Sequence, residues 1–505
     1  YLCPLNNSHM RPYHALLFLL FVLPQVGLLT SCDPDTDIRT GSDIVLEFSV
    51  DTLKFDTVFT ARGSATRSFR VYNRSDEAIQ IDRISLAGMT GVEYTFNVDG
   101  RQGPEVRDAV IWAEDSIWVF VEVEVDPTAP VNVSPFVAED LLIFETGDVQ
   151  SEVVLQSFGQ NANYIGFRGE FGGLTCNNST VVWDSELPYV IRGGLIIDSC
   201  TLQLAAGTEV YITGGIARDE QVGVFNNGLI FVFPNGSLQM LGTRDEPILV
   251  QTDRLEPEFQ AEVGQYRGIF LGPLSQDNII SHTHLLHGIE GLIVDSLAEV
   301  DIDNSVIAYT AGAALRGRNA SVRASNSVFH SNFGDAILFV QGVRLTLDHC
   351  TVASYGADAR ALALQNFECF DSECNNNAAS PVVLNARNSI FAGPQFEEII
   401  FVDGTQRQDP TAFRINVENS VVRVGNEFTG PNAIWPDFLE ELCQGCYNLQ
   451  NGDDLFLGID EDDYRLDTMS VANGLGEILP GLEEDIEGNM RVAPVAAGAY
   501  AAPAP

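Results

Sequence analysis

The sequence predicts an all-β protein in which a β-sandwich is followed by a long β-solenoid of stacked coils. Three observations carry that expectation. A short phrase built on Asn or His keeps returning at a near-constant period through the second half. The earlier part shows runs of alternating apolar and polar residues broken by turn residues instead. Neither part carries a helical period, which a stack of coils does not need because each coil buries its apolar side against its neighbours.

The phrase reads HTHL at His282, NSVI at Asn304, NSVF at Asn326, HCTV at His349, NSIF at Asn388 and NSVV at Asn419. The first steps are 22, 22 and 23 residues; the next two, 39 and 31, read as the same unit carrying insertions. Aligned on the anchor, the copies give columns that become ladders when coils stack at about 4.8 Å. Two residues upstream stand Ile280, Ile302, Ala324, Leu347, Ala386 and Val417; one downstream stand Thr283, Ser305, Ser327, Cys350, Ser389 and Ser420. Three downstream are Leu285, Ile307, Phe329, Val352, Phe391 and Val422. Apolar positions are even steps before the anchor and odd steps after it, so the two-residue strand period slips there. Such a slip asks for a corner, and Asn is the non-Gly residue that best tolerates the left-handed backbone of a sharp one. A competing feature is that the position two downstream (His284, Val306, Val328, Thr351, Ile390, Val421) is also mostly apolar, which an unbroken strand would explain. The corner is the reading adopted.

With these columns in place the chain resembles the right-handed parallel β-helix family, the architecture of pectate lyases and many bacterial surface proteins. The resemblance covers about Tyr164 to Val424, and the solenoid is expected over 164–454. The resemblance implies a fold; none of that family's catalytic motifs is visible.

Taken in order, residues 1–9 read as an upstream extension before Met10. From Met10 to Ser31 come Arg11, a short apolar run and small residues, the pattern of a secretion signal, too short and too interrupted by Pro24 and Gly27 for a membrane span. Leu29-Thr30-Ser31-Cys32 resembles the lipobox of bacterial lipoproteins, which implies acylation of Cys32 and a membrane anchor through it. Residues 32–42 form an acidic tether. Residues 43–163 alternate in short strands that suggest a sandwich. There the phrase VYNRSDEAIQIDRISL, with a strand ending at Asn73-Arg74-Ser75, resembles the Ig-like domains that precede surface modules in such lipoproteins. Residues 455–505 keep Asp485, Gly488, Arg491, Pro494, Gly498, Ala499 and Tyr500, similar to the closing segment of bacterial β-helix surface proteins, with Ala496 where that pattern has Asp. This end is expected to cap the last coil.

The chain of 505 residues carries a formal charge of -43, and Lys54 is its only lysine. Such acidity argues against nucleic acid as a partner. It leaves Ca²⁺ open as a ligand without a specific motif, because Asp33, Asp35 and Asp37 are followed by Arg39 and Thr40 where a calcium loop needs its next ligand and turn. Of the nine cysteines, Cys3 and Cys32 fall in the leading segment, and Cys350 stands in the small-residue column as a buried thiol. The others form local pairs, Cys176 with Cys200, Cys369 with Cys374 and Cys443 with Cys446, for which disulfides are the default in an exported protein. A Cys₄ zinc site from the last two pairs is the alternative.

The candidate chemical patch is Asp253, Arg254, Glu256, Arg267, His284 and His287, with His282 beside it; acid, base and electrostatic groups are all present in type. The blander alternative makes His282 a corner residue and pairs Arg254 with a neighbouring carboxylate. The insertion from Asn366 to Ser380 is the expected protruding loop and a recognition surface. The expectation is a cell-envelope, outer-membrane lipoprotein, periplasmic or surface-exposed, whose β-helix is a non-catalytic binding or structural module, with glycans or envelope proteins as its partners. The rival is a polysaccharide lyase or glycoside hydrolase, which requires a groove along a parallel sheet lined by Arg, carboxylates and aromatics from successive coils.

Overall fold

Alternation of buried and exposed residues organises the first part of a computed structural model that describes residues 38–503, apart from 60–65, 89–92, 125–135, 167–170, 177–178, 220–222, 356–357, 372 and 375. The upstream extension, the signal segment, Cys32 and most of the tether lie outside the described residues. The chain divides into two units, the first ending at Gly159 and the second beginning at Gln160.

In the first unit, two five-stranded antiparallel sheets share one core. The strand Ser116–Glu124 shows how: Ile117, Val119, Val121 and Val123 are buried while the residues between them face outward, the period of two that a half-buried strand imposes. Asn73 ends its strand as a buried hub. Its Nδ2 donates to the carbonyls of Glu77 at 2.8 Å and Ile111 at 3.1 Å, and its Oδ1 accepts from the Ser75 amide at 2.9 Å, replacing backbone partners that the turn removes.

The second unit is a parallel β-helix of three faces. One coil runs through Gly268–Leu271 on face A, Asn278–Ser281 on face B and Thr283–Leu286 on face C. The next coil begins again on face A with Leu292–Val294. Face C forms an 11-stranded sheet, and faces A and B together a 17-stranded one. The columns read from the sequence are ladders: Ile280, Ile302, Ala324, Leu347, Ala386 and Val417 pair in register on face B. Leu285, Ile307, Phe329, Val352 and Phe391 do so on face C. All these side chains are buried in one continuous core, each contributing about 1.5–3 kcal/mol if apolar and large.

Between the two faces stand the anchors. His282, Asn304, Asn326, His349, Asn388 and Asn419 have φ between 45° and 53°. Each anchor amide donates to the coil above, from His282 to the Asp303 carbonyl through to Asn419 and the Gln444 carbonyl. The column beyond them is a hydroxyl ladder. Thr283 N donates to Ser305 Oγ at 3.1 Å, Ser305 N to Ser327 Oγ at 3.2 Å, Cys350 N to Ser389 Oγ at 3.1 Å and Ser389 N to Ser420 Oγ at 3.0 Å. Buried backbone donors at the bend thus find partners in a column of small polar side chains.

The segment 455–503 differs from its expected place. It lies along the outside of face C, with Leu455, Leu466, Ala472, Ala496 and Ala497 packed on Ile390 and Val421, and Tyr464 and Ala499 on Val328 and Ala353. Corner side chains hold it: Asn388 Nδ2 donates to the Glu477 carbonyl at 2.7 Å, and Arg491 donates to Asn326 Oδ1 at 2.9 Å. Asn326 Nδ2 in turn donates to the Glu484 carbonyl at 3.0 Å. Gly498 has φ 99°, a backbone that other residues rarely adopt, and a Cβ there would stand 2.7 Å from Ile390 Cδ1, which would have to shift. This cover is why the position two beyond the anchor is apolar at Val306, Val328, Ile390 and Val421 although it faces out of the coil. The last coils are closed instead by Phe428, Trp435 and Phe438, which cluster on Phe401 and Phe413. Trp435 Nε1 donates to the Phe401 carbonyl at 3.4 Å, supplying a partner at a strand that no further face A strand follows.

Three disulfides join Cys176 to Cys200, Cys369 to Cys374 and Cys443 to Cys446, which leaves no thiol for the alternative zinc site; Cys350 is free and buried.

Candidate functional site

Face A carries an outward column that changes character along the stack: Phe231, Phe270, Ile293, Arg316 and Leu338 pair in register on successive coils. Two insertions border it. One is the antiparallel hairpin of Ile216–Asp219 with Gly223–Asn226; the other is the hairpin of Phe367–Cys369 with Asn377–Ala379, closed by the Cys369–Cys374 disulfide. The groove so formed has a volume of about 500 Å³, with Phe225 and Asn226 from the first hairpin and Glu368 from the second in its lining.

Its charged groups come from four coils and are balanced, three arginines against three carboxylates. Arg316 Nη1 donates to Glu290 Oε1 at 2.7 Å, and the other Glu290 oxygen accepts the Ala313 amide at 2.8 Å. Arg318 Nε donates to Asp295 Oδ1 at 2.7 Å and its Nη1 reaches Glu368 at 3.4 Å. The hydrogen bond and charge of Asp295 raise the Arg318 guanidinium above its ordinary value. Gly317 sits between the two arginines because a Cβ there would stand 2.0 Å from the Val294 carbonyl oxygen. Arg267 lies between two rings, 5.5 Å from the centroids of both Phe225 and Phe270, within reach of a cation–π attraction. No ion pair to Arg267 is found among the described residues.

The groove therefore offers guanidinium donors fixed by carboxylates, carboxylate acceptors and aromatic faces. No His, Lys, Cys or Tyr lines it, and each of its carboxylates is engaged by an arginine. Such a groove can meet a polar ligand with hydrogen-bond donors, acceptors and aromatic faces.

The residues singled out in the sequence are spread over several surfaces. Arg267 is in the groove. Asp253 is buried and accepts from Thr213 Oγ1 at 2.5 Å. Arg254 lies 3.9 Å over the Phe259 ring and pairs with Glu256 at 3.4 Å, as in the blander reading. His284 is exposed on face C. His287 is buried at a second left-handed corner, its Nε2 2.9 Å from the Gln260 carbonyl oxygen, and burial pushes its pKa down. His282 is a corner residue whose Nδ1 meets Ser281 Oγ at 3.0 Å. Sequence reasoning missed Arg316, Arg318, Glu290, Asp295 and Glu368. A signal existed: Arg318 follows Asp295 by 23 residues and Arg323 follows Asp301 by 22, one coil each, so opposite charges stack in adjacent coils. Among the described residues no group of three or more His, Cys, Asp or Glu is placed to hold a metal, and no helix is long and apolar enough to cross a membrane.

No protein-family model matches the chain, and no curated protein does. Three solved structures illustrate the structural likenesses. A family 123 glycoside hydrolase from Clostridium perfringens, described for glycolipid glycan hydrolysis, is similar over 28% of this chain and 30% of its own, at 6% identity and a TM-score of 0.17. The catalytic unit of a thermostable GH87 α-1,3-glucanase from Streptomyces thermodiastaticus is similar over 71% and 74%, at 9% identity and a TM-score of 0.30. Pectate lyase Pel9A is similar over 68% of this chain and 88% of its own, at 12% identity and a TM-score of 0.28. The class of protein, a β-sandwich followed by a parallel β-helix, rests on the antiparallel sheets of the first unit and the parallel ladders of the second.

Proposed function

We propose that this protein is a cell-envelope lipoprotein, anchored through Cys32, whose Ig-like sandwich serves as a stalk for a β-helix that binds glycan in the face A groove without cleaving it. The observation that carries the reading is the groove itself: arginines held by carboxylates on consecutive coils, beside Phe225 and Phe270, between two hairpin walls. Sugar hydroxyls both donate and accept, which suits paired guanidinium and carboxylate groups, while the apolar face of a pyranose suits an aromatic ring. Arg267, lacking a carboxylate partner among the described residues, suits an acidic sugar.

The test is calorimetric binding of polygalacturonate and neutral glucans to the folded protein, alongside the Arg316→Ala and Phe270→Ala variants. Loss of a charged hydrogen bond of roughly 1.5–3 kcal/mol weakens binding about 10- to 100-fold. Absence of binding to every glycan tried, or binding by both variants as tight as the parent's, overturns the proposal. The enzymatic alternative is favoured by the same free Arg267, a candidate base. It is decided by unsaturated or reducing ends accumulating during incubation, with and without Ca²⁺.

A further inference from the structure

A second row of left-handed corners follows face C, at His287, Tyr309 and Ser331, with φ of 70°, 55° and 51°. Against it the hairpin of Phe456–Gly458 with Asp463–Leu466 closes a cavity of about 440 Å³, separate from the groove. The chemistry of its lining is specific. Asp462 is fully compensated: Tyr309 donates to it at 2.7 Å, Tyr464 at 3.3 Å and Ser331 as well, with His330 Nδ1 3.6 Å away. The aromatic walls are fixed, the rings of Tyr355 and Tyr464 lying 6.5 Å apart and nearly parallel at 28°.

Asn332 lines the same cavity at 1% exposure. Its Oδ1 accepts from Thr310 at 2.7 Å, while its Nδ2 has no partner among the described residues. A buried amide donor left empty costs on the order of 1–3 kcal/mol, which a ligand oxygen would recover. At the mouth Phe333 is 62% exposed, an apolar face beside a polar floor.

We propose that this cavity is a second binding site, for the end of a neutral saccharide, in which a pyranose ring lies against Phe333 and an oxygen of the sugar accepts from Asn332 Nδ2. The other ligand classes fit less well. An anion would face Asp460 and Asp462, and a cation would meet an amide donor and a carboxylate whose oxygens are already taken. Tyrosine hydroxyls and an amide are neutral partners for hydroxyls, and an exposed ring for a sugar face.

The experiment is saturation-transfer NMR on the folded protein with glucose, galactose, mannose and N-acetylglucosamine, each at roughly 10 mM, because a single ring is held with a dissociation constant on the order of millimolar. At least one sugar should show transfer. Phe333→Ala, at an exposed position, should weaken it about tenfold or more. Asn332→Asp keeps the acceptor for Thr310, removes the donor and should abolish transfer, with its melting curve confirming the fold. Both variants are made in an Arg316→Ala background, in which the groove contributes no transfer, so the two sites fail independently. No transfer from any of the four sugars, or transfer insensitive to Phe333→Ala, overturns the inference.

Discussion

Replacing Asn388 by Ala tests whether the corner amides, and not only their backbone shape, hold the solenoid together. Asn388 is fully buried, and its side chain makes three contacts: Nδ2 with the Glu477 carbonyl at 2.7 Å and with His349 Nε2 at 2.8 Å, and Oδ1 with the Glu477 amide at 3.2 Å. At about 1 kcal/mol each these amount to about 3 kcal/mol. The left-handed backbone adds about 1 kcal/mol for Ala. Asn304 has the same backbone, but among the described residues its side-chain amide bonds only to the adjacent Asp303, at 2.7 Å, and it is half-buried. Asn304→Ala should therefore cost about 1–2 kcal/mol and Asn388→Ala about 4. Glycine separates the terms: Asn304→Gly should be nearly neutral, whereas Asn388→Gly should still lose about 3 kcal/mol, since glycine takes positive φ freely but has no amide. Guanidinium unfolding of the solenoid transition, followed by circular dichroism, reads all four. Equal losses at the two alanine variants, or a glycine at 388 as stable as the parent, would refute the reasoning.

His349 is buried and neutral, donating from Nδ1 toward the Gly498 carbonyl and accepting from Asn388 at Nε2; burial, then the charge of Arg491, pushes it down to about 3. Its folded value lies below its unfolded value of about 6.5, so its contribution is complete above pH 6.5 and is lost as pH falls toward 3, with a slope of up to about 1.4 kcal/mol per unit. In His349→Asn that slope should flatten over this window. Cys350 occupies the hydroxyl ladder, its Sγ 3.7 Å from the Asp348 carbonyl, and burial pushes its thiol up to about 12. Cys350→Ser should be as stable as the parent or more so, Cys350→Val about 1–3 kcal/mol less, and the native thiol should stay unreactive to disulfide reagents until unfolding. Removing the Cys176–Cys200 bridge, which spans 24 residues, should cost about 3 kcal/mol, and removing Cys443–Cys446, which spans 3, about 2 or less, by thermal unfolding.

The coils were legible because the corner column speaks twice, once through the spacing of its Asn and His and once through the slip in apolar phase. The same local rule could not say what the mostly apolar position beyond each anchor was for: Val328, Ile390 and Val421 are covered by residues from a segment that follows the last coil, and no short-range pattern encodes that contact. The groove was only partly legible. Arg267 stood out beside other charges, but Arg316 and Arg318 sit inside the repeat as ordinary polar positions, and the walls come from hairpins that interrupt the period. The acid, base and histidine set gathered from one irregular stretch lies close in sequence, yet three-residue and four-residue steps around a triangular coil send neighbours to different sides.

The cover over face C also fixes the order in which the protein becomes safe from its neighbours in the cell. A ribosome delivers every coil before it delivers Arg491 and Gly498, so a nascent or prematurely terminated chain displays the Val306, Val328, Ile390 and Val421 row uncovered. Such a chain is a target for chaperones and for self-association. Stop codons shortly before Arg491 should therefore be as damaging as those within the coils.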